Sequence, residues 1–349
     1  MSAELRLDLD VMERNAQRLA SDIAALGKLW RPHIKAHCQP HIARTLVKLG
    51  ACGVTAANVF EVDVMADAGI PSVLLAHLVA ATADLDRLAA ATRKTELLVT
   101  VDHFVHAELY SQTAQRHGTS FRILIDIDVG MGRTGCRPRV DATQLAVAAN
   151  RLPGIEVVGI MGYEGHLAAV PDVEEKRTAV LDSMNALQQT RDEMIRQGIR
   201  CDIVSAGGSG TFATAGLHPA VTELQAGGGI FGDLFYQQQC GLSGTSPALT
   251  VVAEVVSRPS LVQAVLNCGR KAINPVLHPP EVLGIPGATV KSLSAEHTVL
   301  SLEGDAQDLK IGNNVTLAVG YSDHSLLMHR EIQIYRGEQH VDVWPVMRG

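Results

Sequence analysis

The sequence predicts an α/β protein in two parts, an N-terminal (β/α)8 barrel and a C-terminal, mostly antiparallel β domain. Three observations predict it. Between residues 27 and 230 short apolar runs alternate with stretches of helical period, and the runs number eight. The runs are apolar without alternation, which suits parallel strands covered on both faces. Beyond residue 241 the helical stretches give way to β-branched runs separated by turns. A doubly wound open sheet is the rival arrangement for the first part. The 349 residues, 46% of them hydrophobic, suffice for a large barrel and a smaller partner.

In order, the predicted barrel strands are Leu29–His37, Gly53–Asn58, Ser72–Leu78, Glu96–Asp102, Phe121–Val129, Ile155–Tyr163, Asp202–Ala206 and Glu223–Gln225. Helical segments separate them, among them Gln39–Leu49, Phe60–Asp67, Leu85–Arg93 and the long Val173–Gln197. The second part is expected to hold strands at Leu249–Val256, Leu261–Leu266, Ala288–Leu293, Thr298–Leu302, Asn314–Val319 and Glu331–Tyr335. The turns EGD, GNN and RGEQ punctuate it. With a hinge at Gly241–Ser246, the expected domains are 1–240 for the barrel and 241–349 for the β domain.

A formal net charge of −7 without a clustered basic patch argues against a nucleic-acid or anionic-membrane partner. No apolar run approaches the roughly 18 residues that a membrane span needs. The opening MSAELRLDLDVMERN carries acids early and no apolar core of a secretory signal. Six scattered cysteines with no CxxC pair read as reduced thiols, so the expected location is cytoplasmic.

Five segments carry chemistry. In RPHIKAH, Arg31–His37, a lysine within an apolar strand is desolvated, which lowers its pKa toward that of a carbonyl-trapping nucleophile. The plainer alternative leaves Arg31 and Lys35 in solvent at a strand end. VSAGGSGT, Val204–Thr211, and QAGGG, Gln225–Gly229, follow strands seven and eight, where such barrels bind phosphate on glycine backbone. Arg133, in IDIDVGMGRTG, stands just past strand five within reach of an anionic or ring-nitrogen partner. GYEGH, Gly162–His166, ends strand six with Tyr163, able to stack on a flat ring, and with titratable Glu164 and His166.

With RLDLD, ELQAGG and LSAEH added, these segments resemble the D-threonine aldolase/D-serine dehydratase family of pyridoxal-phosphate enzymes, which share the alanine-racemase fold. The likeness runs nearly end to end. It implies a homodimer, with the site between barrel and β domain and a small amino-acid substrate. It implies Lys35 as the Schiff-base lysine, Tyr163 against the cofactor ring and Arg133 beside it. Gly207, Gly208, Ser209, Gly227 and Gly228 match the phosphate loops, and His166 is the second candidate catalytic residue.

Departures from the family pattern stand at the far end. Members with aldolase or dehydratase activity take a divalent metal (Mn, Mg or Zn) through a His-x-Asp or His-x-Cys pair. In GYSDHSLLMH, Gly320–His329, Asp323 fills the second position, but Tyr321 stands where the histidine belongs. A phenol holds its proton to a pKa of about 10 and is a poor neutral ligand. His324 and His329 lie nearby, on what reads as a strand. Ala168 and Ala169 follow GYEGH where aldolases tend to carry a second histidine, and Ala36 and Cys38 flank the lysine in place of a hydroxyl and a lysine. The resemblance implies a lyase on D-3-hydroxy amino acids, with aldol cleavage of a D-threonine-like substrate favoured by Asp323. The alternatives are a D-serine or 3-hydroxyaspartate dehydratase, a metal-independent racemase or epimerase, and a cofactor carrier without turnover.

Overall fold

The computed structural model describes residues 3–348, and its first element, β1 (Glu4–Asp8), is a strand that the sequence pattern did not announce. Leu5 and Leu7 are buried on one face of β1, and helix α1 (Leu9–Ala25) follows directly. Met12, Ala16, Leu19 and Ile23 recur at three- and four-residue spacing along α1 and are all buried, the stripe that an amphipathic helix lays on a core. Contacts divide the chain into two units. One takes the described residues up to Arg18 with Gly228–Arg348, and the other takes Leu19–Gly227.

The unit Leu19–Gly227 is the barrel. Its strands are β2 (Leu29–Trp30), β3 (Val54–Ala56), β4 (Ser72–Leu75), β5 (Glu96–Val101), β6 (Phe121–Ile127), β7 (Ile155–Gly162), β8 (Ile203–Ala206) and β9 (Glu223–Leu224). They run parallel in the order β2-β9-β8-β7-β6-β5-β4-β3. The ends of that order meet: His33 bridges Thr55, Cys52 N–H donates to the Trp30 carbonyl, and Thr55 N–H donates to that of Pro32. Leu74, Leu98, Leu124, Val158 and Met161 pack as one buried cluster, each leucine contributing about 2 kcal/mol of transfer free energy. The helices between are α2 (Pro40–Lys48), α3 (Val59–Asp67), α4 (Thr82–Ala91), α5 (Phe104–His117), α6 (Val140–Ala149), α7 (Val173–Arg196) and the single turn α8 (Phe212–Ala215). The caps explain their starts. Asn58 accepts from Glu61 N–H ahead of α3, and Asp172 accepts from Glu174 and Glu175 N–H ahead of α7.

The other unit carries a nine-stranded sheet with β10 (Leu249–Ser260), β11 (Gln263–Leu266), β12 (Glu281–Leu283), β13 (Ala288–Leu293), β14 (Thr298–Leu302), β15 (Asn314–Ala318), β16 (Glu331–Arg336) and β17 (Gln339–Pro345). Its pairings are antiparallel except β1 on β16. So the N-terminal strand is held by residues some 240 positions away, with Leu5 opposite Val251. A short helix, α9 (Ser322–Leu326), interrupts what reads in sequence as a strand. Among the described residues no cysteine is joined in a disulfide, and no helix is long and apolar enough to cross a membrane.

Candidate active site

Parallel strands end on one side of a barrel, so whatever follows their last residues converges there. The first strand is shorter than its apolar run suggests. Pro32 has no N–H to give the ladder, His33 makes a single bridge, and a turn closes when His37 and Cys38 N–H both donate to the Ile34 carbonyl. Lys35 therefore lies in that turn and is exposed, not desolvated within the strand as its sequence setting suggests. Arg31 departs from the plainer expectation in the other direction. Its side chain is 5% exposed, and Nε donates to both oxygens of Glu223 on β9 at 2.9 and 3.0 Å, while Nη1 donates to Ser72 Oγ at 2.8 Å. A Cβ on Gly53 would stand 2.6 Å from that guanidinium, so glycine makes room for the pair.

His33 joins the first strand to the last. A Cβ on Gly227 would lie 2.1 Å from the His33 carbonyl oxygen and 2.7 Å from its nitrogen, so no side chain fits there. His33 Nδ1 accepts the Lys35 N–H at 3.2 Å, which leaves the ring proton on Nε2. Burial first, then the charges of Lys35, Arg133 and His37, hold this imidazole down at about 3. It is neutral at any physiological pH, and the charges acting on it bring Lys35 and Arg133 to the same mouth. The sequence pattern gives His33 no role; the close approach of its backbone to Gly227 reveals one.

Tyr163 follows the end of β7 and is half-buried. Its ring is wedged between Gly165 and Gly208, where a Cβ would stand 2.3 and 2.9 Å from ring carbons. The Arg133 guanidinium lies 5.7 Å from the ring centroid, a cation–π contact between residues from two strand ends. His166 is exposed on a single 3-10 turn, Gly165–Leu167, with Nε2 3.3 Å from where a Gly130 Cβ would be. Beside it, Asp128 Oδ1 accepts from Gly130 and Gly132 N–H at 2.9 and 3.0 Å, and the Gly132 bond chiefly holds that carboxyl below its usual range.

The loop after β8 is held from within. Gly207 takes φ +73, where a side chain is strained, and its Cβ would strike Leu224. Ser209 and Thr211 are buried. Glu164, the residue after Tyr163, is fully buried; it accepts a short hydrogen bond from Thr211 Oγ1, and Gly207 N–H reaches its other oxygen at 3.5 Å. Burial drives the Glu164 carboxyl upward, opposed by the Thr211 hydroxyl, its own backbone N–H and Gly207 N–H. An exposed primary amine, a ring clamped between glycines, an arginine and two stretches of backbone closed to side chains suit a flat, phosphate-bearing carbonyl cofactor. The barrel residues fit pyridoxal phosphate.

Gly228 and Asp323 belong to the other unit. A Cβ on Gly228 would lie 2.8 Å from the Tyr236 ring, and Tyr236 packs 5.9 Å from Tyr321. Tyr321 also meets Phe235 at 5.4 Å and His324, edge to face, at 4.9 Å. Asp323 is buried in α9. The nearby Asp233, whose carboxyl burial raises to about 6, is committed elsewhere: Oδ1 accepts from Tyr236 N–H and Oδ2 from Ser322 N–H and Oγ. His329 Nε2 is 2.7 Å from the Ala272 carbonyl and gives its proton there. Among the described residues no group of three or more His, Cys, Asp or Glu gathers to hold a metal ion. The donors around Asp323 do not fit the divalent metal that the resemblance implies.

Comparison with known proteins agrees with this architecture. Residues 7–234 match the family described as alanine racemase, N-terminal domain, and residues 248–335 match a serine dehydratase domain. A D-threonine aldolase from Arthrobacter sp is 29% identical over 345 residues, 98% of this chain and 91% of that protein. A 3-hydroxy-D-aspartate aldolase from Paracoccus denitrificans is 28% identical over 351 residues, 98% of this chain and 90% of the relative. The crystal structure of D-threonine aldolase from Filomicrobium marinum superimposes with a TM-score of 0.93 at 30% identity, covering 99% of this chain and 94% of that one. The chain is an enzyme of the alanine-racemase-fold family, in the branch of the D-threonine aldolases and D-serine dehydratases.

Proposed function

We propose that this enzyme is a pyridoxal-phosphate lyase that cleaves the Cα–Cβ bond of a D-configured 3-hydroxy amino acid, releasing glycine and an aldehyde. The observation that carries the reading is the convergence of Lys35, Arg133, Tyr163 and the loops at Gly207–Ser209 and Gly227 on one barrel mouth. Two full-length relatives named as aldolases of D-threonine and 3-hydroxy-D-aspartate support it. Bound there, the cofactor would supply an electron sink for the bond broken at Cα. Lys35 would hold it covalently and, being exposed, can yield to the substrate's amine and keep the released proton. Tyr163, fixed between Gly165 and Gly208, would bear on one ring face and orient it. The backbone at Gly207, Gly208 and Gly227, with the Ser209 hydroxyl, would bind the phosphate. His166 would take the proton from the β-hydroxyl, the step that makes cleavage an aldol reversal, and the proton kept on Lys35 would pass to Cα to complete glycine. No step runs through a metal.

The test is incubation of the holoenzyme with D-threonine, D-serine and D-3-hydroxyaspartate, with Lys35→Ala as control. Aldehyde release from a 3-hydroxy substrate supports the reading. Keto acid and ammonia would replace it with dehydration, where Lys35 removes the α-proton. Loss of optical rotation alone would replace it with racemisation. Lys35→Ala should lose both turnover and the visible absorbance of the covalently held cofactor; a band that survives sinks the assignment of Lys35.

A further inference from the structure

Glu164 is a buried carboxyl that the proposed chemistry does not use, yet it lies directly beneath the loop assigned to phosphate. A carboxyl with no solvent destabilises the fold unless donors meet it. Apart from its own backbone N–H, the donors that meet Glu164 come from one loop: the Thr211 hydroxyl, in a short bond to Oε1, and Gly207 N–H, 3.5 Å from Oε2. The Thr211 hydroxyl is committed at its other side too. Gly208 N–H donates to it at 3.2 Å, while Thr211 N–H donates to the Gly208 carbonyl at 3.0 Å. A relay thus runs from Glu164 through Thr211 to Gly208, whose missing side chain admits the Tyr163 ring. Tyr163 and Glu164 are adjacent at the end of β7, so one strand end fixes both the ring and the loop after β8. A carboxylate suits this place because it offers two acceptors to two donors, where an amide offers one.

We infer that Glu164 is the positioning residue of the phosphate cradle, holding Thr211 so that the Gly207–Thr211 backbone is shaped for a phosphate monoester before one arrives. The inference rests on the proposed cofactor reading. It extends that reading to a residue that touches neither cofactor nor substrate. Of the two bonds, the short one from Thr211 carries the effect and the one at 3.5 Å adds little. Glu164→Gln keeps an acceptor for Thr211 and should therefore rescue what Glu164→Ala loses.

The experiment is a binding titration of the full-length chain, stripped of cofactor, with pyridoxal phosphate and separately with pyridoxal, which lacks the phosphate. Glu164→Ala should weaken pyridoxal phosphate about ten- to a hundredfold, the range for leaving a buried hydrogen-bonding group without its partner, and leave pyridoxal within about threefold. Glu164→Gln should stay within about threefold of the parent for both ligands. Thr211→Val should reproduce the Glu164→Ala loss, and the double variant should lose no more than either single, as expected for one relay. Thr211→Val also decides the matter if Glu164→Ala fails to fold. Equal weakening of both ligands, additive losses, or a Glu164→Gln as weak as Glu164→Ala each overturns the inference. A parent chain that binds neither ligand overturns the cofactor reading itself, a distinct outcome.

Discussion

Glu223→Ala deletes the partner of a guanidinium that has no water to turn to. Arg31 and Glu223 are 5% and 2% exposed, and both carboxylate oxygens lie within 3.0 Å of Nε. Burial alone would lower the affinity of Arg31 for its proton; the Glu223 charge and hydrogen bond reverse that and raise it. Arginine does not neutralise itself at any working pH, so the variant must bury an unpaired charge or open the barrel to hydrate it. Among the described residues, Ser72 Oγ is the side-chain acceptor that would remain. Removing one member of such a pair costs about 3–5 kcal/mol. For a chain of 349 residues, whose unfolding entropy is about 0.7 kcal/mol/K, that lowers Tm by roughly 4–7 °C. The assay is urea unfolding of Glu223→Ala, Arg31→Met and the Arg31→Met/Glu223→Leu double variant, comparing midpoints at constant slope. The double variant should recover most of the loss, because an apolar pair of similar volume is often neutral where half a salt bridge is not. A single variant that loses less than about 1 kcal/mol, or a double variant no better than the worse single, would refute the reasoning. Lys35 stands four residues beyond Arg31, so the Glu223→Ala chain should also bind cofactor more weakly.

Gly227→Ala sets a Cβ 2.1 Å from the His33 carbonyl, a backbone atom that cannot swing aside. It should weaken pyridoxal phosphate at least about tenfold in the same titration, and an unchanged affinity would show that the loop tolerates the shift. Tyr321→His places a neutral nitrogen ligand two residues from Asp323, where the parent offers a phenol. Calorimetry should show Mn²⁺ or Zn²⁺ binding to the variant and none to the parent at the same concentrations; equal heats would refute the donor argument. Burial holds the His37 imidazole at about 3, far under the usual 6.5. The unfolded chain then takes up this proton first, so stability is full above about pH 6.5 and falls as pH drops toward 3, by up to about 1.4 kcal/mol per pH unit. Asp126 and Asp233, raised by burial to about 6, act in the opposite sense. The readout is therefore the difference from His37→Asn between pH 7 and pH 5, about 2 kcal/mol, and identical pH profiles would contradict it.

The barrel was legible because its strands are apolar on both faces, and Val73–Leu75 or Ile123–Ile125 admit little else. Elements that depend on distant partners were not. Glu4–Asp8 offers two buried leucines in five residues, too short a pattern to declare a strand whose partner is Val251. Gln339–Pro345 buries only Trp344, so as an edge strand it has no alternation to read. Ser322–Leu326 turns helical where Asp233, 89 residues earlier, accepts Ser322 N–H and Oγ. No local signal in SDHSL announces that carboxylate.

The candidate site divides along the same line, and the division has a chemical cause. Lys35, the glycine loops and Tyr163 answer to the cofactor, whose amine trap, phosphate and ring make the same demands whatever reaction follows. Those demands select residue types, and residue types are visible in sequence. His33 and Glu164 answer instead to their neighbours. A histidine is ordinary until a Gly227 without a side chain lets its backbone close on the loop, and a glutamate is ordinary until Thr211 and Gly207 both donate to it out of solvent. The choice among cleavage, dehydration and racemisation belongs to this second kind. It rests on which group carries one proton, and here His166 stands on an exposed turn over Gly130 while Tyr321 lies among aromatic rings where a metal ligand would be looked for. A motif can say that a proton carrier is present; only the packing around His166 and Tyr321 can say which proton it moves.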